Sequence, residues 1–242
     1  MTACRAIPVV AWLALVLAAE LQSQLPTVSL LAAAAADPDL RLVVEPSPQP
    51  VRLDAIAARC KQNNGCSFSW LGRAGNGELH YVVRSRLGND TGYGVITLFE
   101  LREPELLRPL VEATYDKSLF LGGTPTLHST TYGPMIAVPF DVPGTGNMNR
   151  DLVLHWTGTQ WQQIDAGKWI SDLQLPPCYG IWKGRRLDLD TWQVTSAVWA
   201  DGDANCCPTG GEIHATLELR DRAIRVATQR PTLVPKKCPA LQ

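Results

Sequence analysis

The stretch with the most chemistry per residue is Asp201-Gly-Asp-Ala-Asn-Cys-Cys-Pro-Thr-Gly-Gly-Glu212. Counted from Asp201, the residues Asp201, Asp203 and Asn205 fall at positions 1, 3 and 5 and Glu212 at position 12. Cys207 could offer a backbone carbonyl at position 7. These are the ligand offsets of a twelve-residue calcium loop, in which hard oxygen donors surround a hard cation. Position 6 is Cys206 rather than the glycine that the sharp turn of such a loop needs. The competing reading is a turn whose Asp and Asn side chains cap their own backbone. Cys206 and Cys207 also raise redox chemistry. Catalytic dithiols usually take the form C-x-x-C beside a cation or a helix N-terminus, whereas here Asp201 and Asp203 would raise a thiol pKa. Structural disulfides are therefore the favoured reading of the pair.

A second group of residues could bind rather than react. Trp156, Trp161, Trp182 and Trp199 lie in the half of the chain richest in tryptophan. Exposed rings on a β surface can stack on sugars or hold apolar ligands, while large rings are as readily used for core and cross-strand packing. His80, His128, His155 and His214 show no metal-ligand spacing, and His214 falls on a polar strand face near Glu212 and Glu218. There is no G-x-S-x-G, H-E-x-x-H, P-loop or dinucleotide fingerprint. A triad assembled from distant positions cannot be seen by spacing.

The run Gly202-Asp-Ala-Asn-Cys-Cys-Pro-Thr-Gly-Gly211 resembles the GDANCCP(S/T)GG signature of largely uncharacterised exported bacterial proteins, and more distantly the acid-then-CCP segment of LppP/LprE-type lipoproteins. Leu175-Pro-Pro-Cys-Tyr-Gly-Ile-Trp-Lys-Gly184 adds weaker support. The resemblance implies export and disulfides and implies no reaction. Unlike those lipoproteins, the chain has no lipid-attachment cysteine after its apolar N-terminal run, since Cys4 lies before it.

The N-terminus agrees with export. Arg5 precedes an apolar run from Ala6 to Ala19, and Ala34 and Ala36 precede Asp37 in the A-x-A pattern of a cleavage site. Residues 1–36 are read as a signal peptide; an uncleaved anchor is the competing reading, which Glu20 disfavours by truncating the apolar run. Residues 37–242 are then a single mostly β domain with a subdivision conceivable near 122–126, with no later membrane span and a periplasmic or secreted location. Removing residues 1–36 takes away Arg5 and Glu20 and leaves the net charge at −1, which argues against nucleic acid as a partner. Six cysteines remain: Cys60, Cys66, Cys178, Cys206, Cys207 and Cys238. An even count behind an export signal argues for disulfides. Adjacent Cα atoms are too close for ordinary disulfide geometry, so Cys206 and Cys207 are each expected to pair with a distant cysteine, with Cys60–Cys66 a local loop.

The elements that must carry these residues are strands. Leu53–Cys60 is the best helix candidate. Leu79, Tyr81 and Val83 alternate with polar residues, and after a turn at 88–92 an apolar run from Tyr93 to Leu101 completes a hairpin. Met135–Phe140 reads as a strand, and Trp161 returns where a cross-strand partner of Trp156 belongs. In the C-terminal third, Trp192, Val194 and Val198 share one face. Ile213, Ala215, Leu217 and Leu219 alternate on the next strand, and Asp221-Arg222 turns into Ile224 and Val226. The fold expected is mainly β, an antiparallel sandwich, barrel or curved sheet with little helix. Three functions fit: a non-enzymatic envelope module that binds or scaffolds an unknown ligand or protein, without cofactor; an extracytoplasmic hydrolase using dispersed acidic and His residues; and a calcium-stabilised adhesion domain using Asp201, Asp203, Asn205 and Glu212.

Overall fold

The structure is a computed structural model that describes residues 43–44, 50–62, 66–75, 77–85, 94–103, 105–115, 120–141, 149–182 and 185–236. Residues 1–36, read above as a signal peptide, the turn expected at 88–92 and Cys238 lie outside the described residues. The chain is mainly β with little helix, arranged as three antiparallel sheets in chain order.

The first sheet contains β1 (Val43–Val44), β2 (Val51–Arg52), β3 (Cys66–Ala74), β4 (Gly77–Ser85), β5 (Gly94–Glu103) and β6 (Leu106–Tyr115), with helix α1 (Leu53–Gln62) between β2 and β3. β3 to β6 form a meander, and β1 and β2 both pair with β6. The helix is two residues longer than Leu53–Cys60 and lays Leu53, Ile56 and Cys60 against Val82, Phe99 and Leu107 on one face of the sheet. Register shifts at Trp70/Gly72, Leu98/Phe99 and Leu101/Glu103 mark bulges that bend the strands.

The second sheet contains β7 (Phe120–Leu121), β8 (Thr126–Thr130), β9 (Gly133–Asp141), β10 (Asn149–Trp156) and β11 (Trp161–Ile164). Both β7 and β8 pair with β9, so Gly122 and Gly123 lie between two strands of one sheet. Ile136, Val138, Phe140, Leu152, Leu154 and Trp161 pack on Leu79, Tyr81, Ile96 and Leu98 of the first sheet. On the opposite face Met135, Val153 and Ile164 pack on Leu189, Trp192, Val194 and Leu217 of the third. The second sheet is thus the middle layer, buried on both faces, and β9 accordingly reads as a nearly unbroken apolar run.

After α2 (Trp169–Asp172), the third sheet contains β12 (Tyr179–Gly180), β13 (Arg185–Asp188), β14 (Gln193–Ala200), β15 (Gly211–Arg220) and β16 (Ala223–Leu233). β14, β15 and β16 form the expected C-terminal meander, and β12 and β13 both pair with β14. Asp221 and Arg222 turn β15 into β16 with both residues at positive φ, the backbone of a two-residue hairpin turn. Asp165 joins the layers: its N–H donates to Arg222 O at 2.9 Å and its carbonyl accepts from Ile224 N at 2.9 Å. Among the described residues no helix is long and apolar enough to cross a membrane.

Candidate functional site

The stretch singled out in the sequence is the exposed connection between β14 and β15, and hydrogen bonds at its base hold it. Asp203 Oδ2 accepts from Ala200 N at 2.8 Å and Thr209 N at 2.7 Å, while Oδ1 accepts from the Thr209 hydroxyl at 2.5 Å. Asp203 N donates to Ala200 O at 3.0 Å, Gly210 N to Val198 O at 2.9 Å, and Asp201 N to Cys178 O at 2.9 Å. The Thr209 hydroxyl, followed by the two backbone N–H groups, holds the Asp203 carboxyl below its usual pKa. Asp203 thus behaves as a turn-capping residue, with both oxygens turned onto its own loop. Asp201 and Asn205 are exposed, and Glu212 stands on β15 with its carboxylate 3.6 Å from His214 Nε2. Among the described residues no three His, Cys, Asp or Glu side chains are grouped to hold a metal ion.

The cysteines correct one expectation and meet another. Cys60 and Cys66 are bonded to each other across α1 and β3, with Cα atoms 4.7 Å apart, as the local loop requires. Cys206 and Cys207 do not reach out to distant partners; they are bonded to each other, Cα to Cα 3.8 Å. The reason is local. Cys207 N donates to Ala204 O at 3.0 Å, closing a tight turn over Ala204–Cys207 that carries both side chains out at the exposed tip of the loop. The cysteine under the loop base, Cys178, is buried and already disulfide-bonded.

β12 brings aromatic surface to the same edge. Gly180 pairs with Trp199 of β14, and the ring of Trp182 lies nearly parallel to that of Trp199, with centroids 6.2 Å apart and planes 14° apart. Trp199 is 3% exposed and Trp182 is 42% exposed, so one ring is a buried floor and the other faces water. Trp156 and Trp161 are cross-strand partners, as their spacing predicts, with rings 5.5 Å apart. Trp161 is buried in the core between the first two sheets and Trp156 is half-buried against it. Of the four tryptophans singled out for stacking, Trp182 is therefore the one that offers a solvent-facing ring. Trp70 on β3 and Tyr132 in the β8–β9 turn are exposed aromatics that the sequence did not single out.

A further constellation was invisible to spacing. Thr126 and His128 are two apart on β8 and so share a face, the one turned toward the third sheet. Thr126 Oγ1 lies 2.8 Å from His128 Nε2, and His128 Nδ1 lies 2.9 Å from Asp190 Oδ1 in the turn between β13 and β14. An ionised carboxylate only accepts, so Nδ1 carries a proton, and in the neutral imidazole Nε2 then accepts from the threonine hydroxyl. The turn is fixed by Asp188 Oδ1, which accepts from Asp190 N at 2.9 Å and Thr191 N at 3.1 Å. Hydrogen bonds from Thr191, then from Asp190 N, with the nearby His128, keep the Asp188 pKa low. Beside it, Trp192 meets Tyr132 edge-on at 4.5 Å, and His155 Nε2 donates to Tyr132 O at 2.7 Å. On the outer face of the third sheet, Thr195 Oγ1 lies 3.0 Å from His214 Nδ1, but the acid, Glu212, is 3.6 Å from Nε2, beyond hydrogen-bond range.

No protein-family model, no curated protein and no solved structure matches the chain.

Proposed function

We propose that the protein is an exported envelope protein, periplasmic or secreted, that binds or scaffolds through the edge of the third sheet where Trp182 stacks on Trp199. The observation that carries this reading is the Trp182–Trp199 stack. A solvent-facing ring already held flat on a buried one loses little freedom when a ligand lands on it. Its apolar face suits the flat face of a sugar ring or another aromatic group. The N-terminal segment and the GDANCCPTGG resemblance support export.

The test is a tryptophan-fluorescence titration with soluble envelope glycans and aryl ligands, comparing the protein with Trp182→Ala. Loss of one stacking face, worth about 1.4 kcal/mol, should weaken binding about tenfold. A ligand that binds both forms equally, or a full panel that binds neither, would remove Trp182 from this role.

Thr126, His128 and Asp190 favour a second reading, an extracytoplasmic hydrolase. The hydroxyl is bonded to one ring nitrogen and the orienting acid to the other, which is the wiring of an activated nucleophile. Thr126 is exposed, so a substrate carbonyl can reach it. Turnover of p-nitrophenyl acetate should fall by about 10²–10⁴ in His128→Ala and Thr126→Ala and remain unchanged in Thr195→Ala. Equal turnover in all forms sinks the hydrolase.

A further inference from the structure

We infer that Cys206–Cys207 is a redox-exchange site rather than a structural staple: an exposed disulfide that a dithiol reductant opens while the rest of the fold stays intact.

A disulfide stabilises a fold chiefly by closing a loop in the unfolded chain, and the effect grows with the length of that loop. A bond between neighbours in sequence closes essentially none. It fixes the peptide it spans and ties no distant part of the chain to another. The loop does not depend on it either. Its base is held by the carboxylate of Asp203 on Ala200 and Thr209, by Gly210 N on Val198 O, and by Val234 N on Gly210 O at 3.0 Å. None of these bonds involves sulfur. Stability therefore gives no account of why two cysteines stand side by side at the tip.

Accessibility separates this bond from the other sulfur in the described structure. Cys206 and Cys207 are both exposed, as are Ala204 and Asn205 before them. Cys60 and Cys66 are half-buried and packed with Leu53, Ile56 and Phe68 against the first sheet. Cys178 is 4% exposed. Thiol–disulfide exchange needs an attacking thiolate to approach one sulfur in line with the bond, so access decides which bond reacts first. The site therefore accepts electrons from an external dithiol that reaches the exposed tip of the loop.

The exchange balances as follows. A thiolate of an external dithiol attacks one sulfur, the Cys206–Cys207 bond breaks, and a mixed disulfide forms. The second thiol of the reductant, deprotonated, displaces the protein sulfur. The reductant leaves as its cyclic disulfide, and the two electrons and two protons it gave up remain on Cys206 and Cys207 as two thiols.

The experiment is a dithiothreitol titration of the native protein, followed by quenching with iodoacetamide and peptide mass mapping. Cys206 and Cys207 should both be alkylated at reductant concentrations that leave Cys60–Cys66 bonded and the far-ultraviolet circular dichroism unchanged. Oxidised glutathione should then close the pair again. The Cys206→Ser/Cys207→Ser double variant should fold with the melting temperature of the parent. Alkylation of Cys206 and Cys207 only together with Cys60 and Cys66 as the protein unfolds would overturn the inference. So would alkylation of the pair in the unreduced protein, or a double variant that fails to fold.

Discussion

Gly211→Ala is expected to lower the melting temperature on the order of 10 °C, far more than the same change at Gly202 in the same loop. Both glycines have positive φ, +107° at Gly211 and +86° at Gly202, so both substitutions strain the backbone. The difference is what a methyl group would meet. At Gly202 nothing among the described residues lies within 4 Å. At Gly211 the new carbon would lie 2.1 Å from Thr232 O and 3.1 Å from Leu233 Cα, both backbone atoms of the paired strand. Neither can move without breaking the Gly211–Leu233 pairing that ends the β15–β16 ladder. Backbone strain alone costs roughly 1–2 kcal/mol, and overpacking adds roughly 1–3 kcal/mol at Gly211. Gly210 is crowded too: its methyl would lie 2.7 Å from Val198 O. Thermal denaturation of the two alanine variants checks this, and equal losses at Gly202 and Gly211 would show that the strand does yield.

That result bears on how the Asp201–Glu212 stretch is read. Its Gly-Gly end is demanded by close backbone approach, and its Asp203 by turn capping, so much of the motif is the geometry of a β14–β15 connection. Cys206-Cys207 has no such explanation. Sequence pattern reached the connection because alternation in β14 and β15 is clean: one face packs on the middle sheet and the other is polar. The same alternation gave the β4–β5 hairpin and the Trp156–Trp161 register. It did not reach β6, whose Pro109 argues against an interior strand. The structure places Pro109 opposite Phe99 at a register shift, where the absent N–H is tolerated. β3 was missed because Cys66-Ser-Phe-Ser-Trp70 is weakly apolar and its Gly72 sits at a bulge. The layering was not legible either, since a continuous apolar run such as β9 does not say which sheets cover its two faces. At the candidate sites, composition could not separate exposed Trp182 from buried Trp161 and Trp199. His128 and Asp190 are 62 positions apart and meet only because β8 and the β13–β14 turn face one another. The adjacency of Cys206 and Cys207 pointed to distant partners, and a local turn decided otherwise.

Acid should destabilise the protein through His80, and His80→Phe should remove that sensitivity. His80 sits on β4 on the same face as Val82, between Trp70 of β3 and Phe99 of β5, with its ring stacked on Phe68 at 5.3 Å. It is 7% exposed, and among the described residues neither ring nitrogen has a hydrogen-bond partner. Glu78 lies 3.8 Å from Nε2, and its carboxylate is itself hydrogen-bonded by Arg73. Burial lowers the His80 pKa below 6.5, and the pull of Glu78 opposes this only in part. The unfolded chain therefore takes up a proton before the native state does. Stability is held above pH 6.5 and is lost as the pH falls from there through the lowered native value. Phenylalanine keeps an aromatic ring on Phe68 and discards two buried polar atoms, so the variant should be at least as stable at pH 7. Melting temperatures measured from pH 7.5 to 5 should fall in the parent and stay flatter in His80→Phe. Parallel curves would mean that the imidazole reaches water in the native state, and that the outer face of β4 is more open beside the exposed Trp70 than its packing indicates.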